Sequence, residues 1–488
     1  MRQAPRPLIA VNPDRTLIAV AFGTEVRVFD TESGALATLE STCAFDAAAA
    51  AREGGADAPD ASRWHTDAIR ALRFDSTGAS MCTAGDDKLA RVWQVGKATG
   101  LRSDSTGASG ASGAVAPRTL TCVRCARLPK KACAATFAAG GAVAAFADKF
   151  GDVHGLPVTV TDRKHTKAHG GAAAPDEMDE STYLFGHCCS IITAACAPCS
   201  ADDNAEENFS LLATADRDFK IRVARLPKDV ATILDPDVGV PEIQSFCHGH
   251  AAFVACVAAV PAGQNASARI VSGGGDGAAR LWRCEDGAAL GAVTLAAPRA
   301  RPEGDDATDA TADLADLKKE DVIATGEAPR EAVDAPAVVA VAVAASGVAY
   351  AAVENRPGEV AELRVRDDAL ELVRWVPLPD GIESVPAGLH YDETRGELLG
   401  VCEKTRPDGN AEAALFFAYG PADGPAQKNA DAAARALAVP GMDPGDGARP
   451  GVSLGDAMRK RGYDEQKREA RKMQRKDFKS GGASLSNA

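Results

Sequence analysis

The sequence predicts an all-β protein, a seven-bladed β-propeller with long loop inserts and a short, basic, partly helical C-terminal tail. Three observations predict it. Short apolar strands separated by polar turns fill most of the 488 residues, and aromatics make up only 5% against 45% hydrophobic residues, so Val, Ile, Leu and Ala must build the core. Three segments align in register: "TAGDDKLARVW" ending at Trp93, "TADRDFKIRVA" ending at Ala224 and "SGGGDGAARLW" ending at Trp282. Each carries an aspartate six residues before its end (Asp87, Asp218, Asp276), and a histidine precedes each at a repeat-sized distance (His65, His187, His250).

Those residue types recur for a physical reason. A histidine hydrogen-bonded to an aspartate fixes the turn between two strands of a four-stranded blade, and a terminal tryptophan buries a large surface beside it. This is the layout of a WD-repeat blade. His65, Asp87, Trp93, His187, Asp218, His250, Asp276 and Trp282 are therefore read as structural blade residues. At Ala224 the tryptophan is missing, which marks either a decayed repeat or a specialised blade.

Weaker blades fill the gaps. "LIAVNPDRTLIAVAFGTEVRVFD" forms the first, with Phe29 in the place of Trp, and "ACAATFAAGGAVAAFADKFGDVHGLPV" turns at Phe150-Gly151-Asp152. "PAVVAVAVAASGVAYAAVE" with "EVAELRVRDDALELVRWVPL", and "IESVPAGLHYDETRGELLGVCEK" with "AALFFAYG", make two degenerate blades, giving seven. A lone blade cannot bury both faces, so the ring must close, and pairing of Leu8–Val11 into the last blade is the expected closure.

The propeller is expected over 1–422, with surface inserts at 47–63, 100–117, 162–181 and 298–336, the last predominantly acidic. An Ala-, Gly- and Pro-rich linker follows over 423–450, and the tail occupies 451–488. From Arg459 to Lys479 the tail has ten Lys or Arg against four Asp or Glu, although the whole chain carries a net charge of −14. Arg459, Lys460, Arg461, Lys467, Arg468, Arg471 and Lys472 are candidate RNA contacts, with a solvated tail as the plainer alternative. The acidic body argues against non-specific nucleic-acid binding over the whole surface.

The opening "MRQAPRPLIAVNPD" lacks a signal-peptide core, and no apolar run approaches membrane-spanning length, so an intracellular protein with no membrane attachment is expected. Its thirteen cysteines would then be mostly reduced. Cys122 with Cys125, and Cys196 with Cys199, have zinc-like spacing. Both pairs lie in strand patterns, however, where residues three apart point to opposite faces, so small buried hydrophobes are the better reading. "VSGGGDG" (271–277) lacks the following helix and the Lys-Ser/Thr of a phosphate loop. No cofactor is expected, no metal site is assigned, and no nucleophile is paired with a base in any local motif, so a binding scaffold is favoured over an enzyme.

"FADKFGDVHGLPV" (146–158), "LFGHCCSIITA" (184–194), "TADRDFKIRVARLP" (214–227), "IQSFCHGHAAFVACV" (243–257) and "IVSGGGDGAARLW" (270–282) occur in that order. Together they resemble the WD-repeat, non-catalytic subunits of tRNA guanine-7 methyltransferase. The resemblance implies a separate catalytic subunit that carries the S-adenosylmethionine pocket and forms 7-methylguanosine in the tRNA variable loop. It implies a heterodimer that meets tRNA as a complex, acts in the nucleus, and uses this chain as a scaffold without enzymatic activity. It also implies that the blade containing "DRDFKIRV" faces the partner, making Arg222, Lys220 and Arg217, with Lys149, interface candidates against the alternative of ordinary solvated charges. Phe219 and His154 depart from the family pattern. The competing reading is a generic propeller adaptor, such as a ubiquitin-ligase substrate receptor, but "WQVG" and "WRCE" after the two clear tryptophans lack the Trp-Asp-x-Arg of such receptors.

Overall fold

A computed structural model describes residues 6–31, 35–43, 64–96, 118–159, 178–187, 191–197, 209–235, 243–261, 267–297, 335–379, 382–392, 395–405, 411–419 and 436–438. The basic tail, the inserts at 47–63 and 100–117, and most of those at 162–181 and 298–336 lie outside these residues.

Seven sheets form seven blades. Blade 1 holds β1 (Leu8–Val11), β2 (Leu17–Phe22) and β3 (Glu25–Asp30), and blade 2 holds β5 (Ile69–Phe74), β6 (Ser80–Gly85), β7 (Leu89–Val95) and β8 (Thr119–Arg127). Between them β4 (Thr38–Ser41) pairs in parallel with β8, Leu39 opposite Leu120. Blade 3 is β9 (Ala132–Ala138), β10 (Val143–Asp148), β11 (Asp152–Pro157) and β12 (Thr182–Gly186). Blade 4 is β13 (Ile191–Ala197), β14 (Phe209–Asp216), β15 (Ile221–Pro227) and β16 (Ile243–Cys247). Blade 5 is β17 (Val254–Val260), β18 (Arg269–Gly274), β19 (Ala278–Arg283) and β20 (Ala289–Thr294). Blade 6 is β21 (Val338–Val343), β22 (Val348–Val353), β23 (Glu359–Val365) and β24 (Leu370–Pro377). Blade 7 is β25 (Gly388–Asp392), β26 (Glu397–Thr405), β27 (Ala411–Tyr419) and β28 (Ala436–Ala438). The first strand of each blade neighbours the first strand of the next, so β1, β5, β9, β13, β17, β21 and β25 line the axis.

The core lies between blades and is built from small branched residues, as the composition requires. One cluster joins Ala71, Cys82 and Val92 of blade 2 to Phe137, Phe146 and Leu156 of blade 3. Another joins Leu211, Ile221 and Val223 of blade 4 to Val254, Ile270 and Trp282 of blade 5. Each blade thus buries one face against each neighbour, which is why the repeats are stable only as a ring.

Closure differs from the expectation. Leu8–Val11 pairs with β2 of its own blade, Ile9 opposite Val20, and the fourth strand of blade 7 comes from Ala436–Ala438, within the stretch read as linker. Blades 7 and 1 meet through side chains: Ile9, Val20 and Phe22 pack against Leu399, Val401 and Leu415. An Arg15–Asp392 ion pair crosses the same seam. Among the described residues, no helix is long and apolar enough to cross a membrane.

Candidate partner-binding face

The turns between the second and third strands of successive blades lie on one face of the ring, and the His–Asp pairs set their shape. In blade 2, His65 Nδ1 lies 2.9 Å from Asp87 Oδ2 and Nε2 lies 2.9 Å from Thr83 Oγ1, while Trp93 Nε1 donates to that same hydroxyl at 3.0 Å. Asp87 also accepts the Thr66 and Leu89 amides. Blade 5 repeats the arrangement: His250 Nδ1 is 3.1 Å from Asp276, Nε2 is 2.7 Å from Ser272 Oγ, and Trp282 Nε1 donates to Ser272 at 2.7 Å. Burial alone would raise the Asp276 carboxyl, but the charge and hydrogen bond of His250, with the Ala251 amide and Arg280, hold it down to about 2. In both blades the histidine and the aspartate are tied to each other and to the turn.

Blade 4 corrects one assignment. His187 Nε2 meets Thr214 Oγ1 at 2.6 Å, but Nδ1 faces Asp216 Oδ2 at 3.4 Å rather than Asp218. Asp216 is buried at the end of β14, where its Oδ1 accepts the amides of Asp218 and Lys220, while the Asp218 side chain is 55% exposed and lies beside Arg217. The turn backbone is the same in all three blades, with Lys88, Phe219 and Gly277 left-handed at φ 67, 71 and 74. What differs is Asp216, which stands where blades 2 and 5 have Gly85 and Gly274, so its side chain takes the place beside the histidine.

The missing tryptophan has a packing explanation. Ala224 is fully buried, and its cluster includes Ile233 and Leu234 from the one-turn helix Val230–Ile233 and the residue after it, together with Leu212 and Leu226. The next segment of chain therefore fills the volume beside Ala224. Position 224 is not surrendered to a partner surface.

The four interface candidates separate. Lys220 is exposed, and Arg217 is half-buried with its Nε 3.7 Å from Asp218. Lys149 reaches from the blade 3 turn to Asp86 Oδ1 of blade 2 at 3.2 Å. Asp86 also takes Arg70 at 2.9 Å and Lys131 at 3.5 Å. Burial would raise the Asp86 carboxyl, but Arg70 and then Lys149 hold it below the usual carboxylate range. Arg222 is only 7% exposed, with its guanidinium 4.5 Å over the Phe185 ring and Nη1 donating to the Gly186 carbonyl at 3.0 Å. It is an internal contact between blades 3 and 4, and the solvated-charge alternative fails for it.

Sequence reasoning missed three features here. Phe150, 61% exposed on the blade 3 turn, stands beside Lys130, whose ammonium lies 4.5 Å from the ring centroid. Asp216 was legible as the shared "Ala-Asp" that ends the second strand in both blades 3 and 4. In blade 3 that position is Asp148, and Asp148, Asp152 and His154 converge within 4.8 Å. Cys122 and Cys125 are both buried on β8, and the Cys122 sulfur lies 3.7 Å from that of Cys43 rather than beside Cys125.

The fold and these pairs define a seven-bladed WD-repeat propeller whose turn face presents lysine, arginine and an exposed phenylalanine. Residues 161–347 match the family model described as the tRNA methyltransferase TRM82 WD40 domain, and residues 62–94 match the WD domain, G-beta repeat. The chain is 24% identical over 295 residues to the tRNA (guanine-N(7)-)-methyltransferase non-catalytic subunit wdr4 of Dictyostelium discoideum, covering 60% of this chain and 50% of that protein. It is 27% identical over 208 residues to the non-catalytic subunit trm82 of Aspergillus clavatus, covering 35% of this chain and 39% of that protein. The chain thus spans half or less of the length of these relatives. Among solved structures, U3-55K aligns over 82% of this chain and 89% of its own at 14% identity, with a TM-score of 0.48. Over its central blades the chain is similar to the TRM82 WD40 domain, the region in which the motifs between 146 and 282 lie.

Proposed function

We propose that this chain is the non-catalytic scaffold subunit of a tRNA guanine-N7 methyltransferase, binding and stabilising a separate catalytic subunit that forms 7-methylguanosine in tRNA. The observation that carries the reading is the family match over blades 4 and 5, joined to a turn face built to present charge rather than to react. On that face each motif histidine is already engaged by a carboxylate and a hydroxyl, which leaves it no role as a free base.

The contact surface in this reading is the pair of turns 148–152 and 216–220. Lys220 and Arg217 offer charge, Phe150 offers an apolar anchor, and Lys149, tied to Asp86, is held in a fixed position. Exposed charges of this kind set partner choice and association rate, while an aromatic contributes buried area. Arg222 works beneath the surface, fixing Phe185 and the chain that leads into His187. The complex meets tRNA in the nucleus as a heterodimer, with the basic tail 451–488 lying along its phosphates.

Affinity purification of the tagged full chain followed by mass spectrometry tests the proposal. Stoichiometric recovery of a methyltransferase subunit supports it, and recovery of a ubiquitin-ligase core in its place supports the adaptor reading. Deleting residues 452–488 should weaken tRNA binding by the complex and flatten its salt dependence while leaving subunit pairing intact, and imaging of the same variant tests its part in nuclear entry.

A further inference from the structure

The blade 3 turn holds a group of side chains that the scaffold role does not use. Asp148 is 0% exposed and His154 5% exposed, and both keep a buried polar atom without a hydrogen-bond partner: Oδ2 of Asp148 and Nε2 of His154. These two atoms face each other at 3.9 Å. That is too long for a hydrogen bond. The other Asp148 oxygen is committed, because Oδ1 accepts the Phe150 and Asp152 amides at 2.8 and 3.2 Å and thereby shapes the turn. Asp152, half-buried at the start of β11, brings a second carboxylate within 4.8 Å of both. Tyr183 on β12 packs edge-on against the His154 ring, centroids 6.1 Å apart, and limits its rotation. The neighbouring Cys133 thiol is directed to the Ala147 carbonyl at 3.4 Å.

We propose that Asp148, Asp152 and His154 bind one first-row divalent transition-metal ion. Ligand bonds of about 2.0–2.2 Å place an imidazole nitrogen and a carboxylate oxygen roughly 3.4 Å apart at a tetrahedral ion, so the 3.9 Å gap between two unsatisfied atoms closes around an ion with a shift of about half an ångström. One nitrogen and two carboxylate donors without a thiolate favour zinc, manganese or cobalt over a soft ion, and the dication balances two carboxylates that burial would otherwise penalise. The ion would pin residues 148–152, the turn that carries Lys149 and Phe150. The inference does not depend on the function proposed above.

The test uses the full chain, stripped with a chelator and titrated with Co2+ as the probe, whose visible absorption reports its ligands. Wild type should take up one equivalent with the spectrum of a nitrogen–oxygen site, lacking thiolate-to-cobalt charge transfer, and its melting midpoint should rise. His154→Phe and Asp152→Asn should each weaken this binding about tenfold or more and abolish the rise in midpoint. Uptake unchanged in both variants, a spectrum dominated by thiolate charge transfer, or no saturable uptake would overturn the assignment and leave a bridging water between His154 and Asp148. If His154→Phe does not fold, Asp152→Asn decides alone, since that half-exposed carboxylate can be changed while the Asp152 amide still caps Asp148.

Discussion

The Arg222 guanidinium lies 4.5 Å over the Phe185 ring, and this stack joins the third strand of blade 4 to the last strand of blade 3. A cation stacked on an aromatic ring while largely screened from water contributes about 1–2 kcal/mol, and its stem adds packing. Arg222→Glu should therefore destabilise the isolated propeller, lowering the melting midpoint by several degrees. Lys220→Glu, on the exposed turn, should leave the midpoint nearly unchanged and weaken partner binding through charge reversal. Differential scanning calorimetry of the two variants, beside a binding titration, separates the roles.

In blade 4 the two aspartates predict opposite outcomes. Asp216→Ala removes the carboxylate that meets His187 and two turn amides, at a cost of about 1–3 kcal/mol. Asp218→Ala should be near neutral. Equal denaturation midpoints for the two variants would return the His187 partner to Asp218.

In blade 5, Asp276→Ala should cost about 1–3 kcal/mol, because it leaves His250 and two amides unsatisfied. Asp306→Ala, in the acidic insert, serves as the neutral control. The sign of the pH effect follows from the depressed carboxyl. The stability that Asp276 contributes is complete above its ordinary value of 3.8 and is lost as pH falls from there towards about 2, so the two variants should converge in strong acid.

At the ring seam, burial and then the nearby Arg15 charge push His390 down from its ordinary 6.5 to about 4, against the pull of Asp392. The unfolded chain therefore binds a proton between these values that the folded chain refuses. Stability is greatest above pH 6.5 and should fall by about 2–3 kcal/mol as pH drops to 4. His390→Gln should flatten that slope in a pH series of urea midpoints, and an unchanged slope would remove His390 as its cause.

Blades 2 and 5 were legible because a His–Asp–Thr/Ser–Trp set demands fixed residue types at fixed spacing. Blade 4 was legible in place but not in detail: counting back from the tryptophan position selects Asp218, whereas Asp216, standing where blades 2 and 5 have Gly85 and Gly274, takes the histidine. The burial of Arg222 was hidden because Phe185 comes from the preceding blade, and strand alternation carries no record of a neighbour. Ring closure was hidden for a related reason. Ile9, Val20, Leu399 and Val401 are ordinary core residues whose pattern is the same whether β1 pairs with blade 1 or blade 7. Among the candidate site residues, Lys149 and Lys220 were visible as charges, but the Asp86 network around Lys149 and the convergence of Asp148, Asp152 and His154 depend on folding.

The most direct test of the account is reconstitution. The catalytic subunit recovered with this chain is purified alone and with the full chain, and 7-methylguanosine formation on tRNA is measured by mass spectrometry of nucleoside digests. The scaffold account predicts little or no product from either subunit alone, robust product from the pair, and no binding of S-adenosylmethionine to this chain by calorimetry. Full activity of the catalytic subunit without this chain, or cofactor binding by this chain alone, would contradict it.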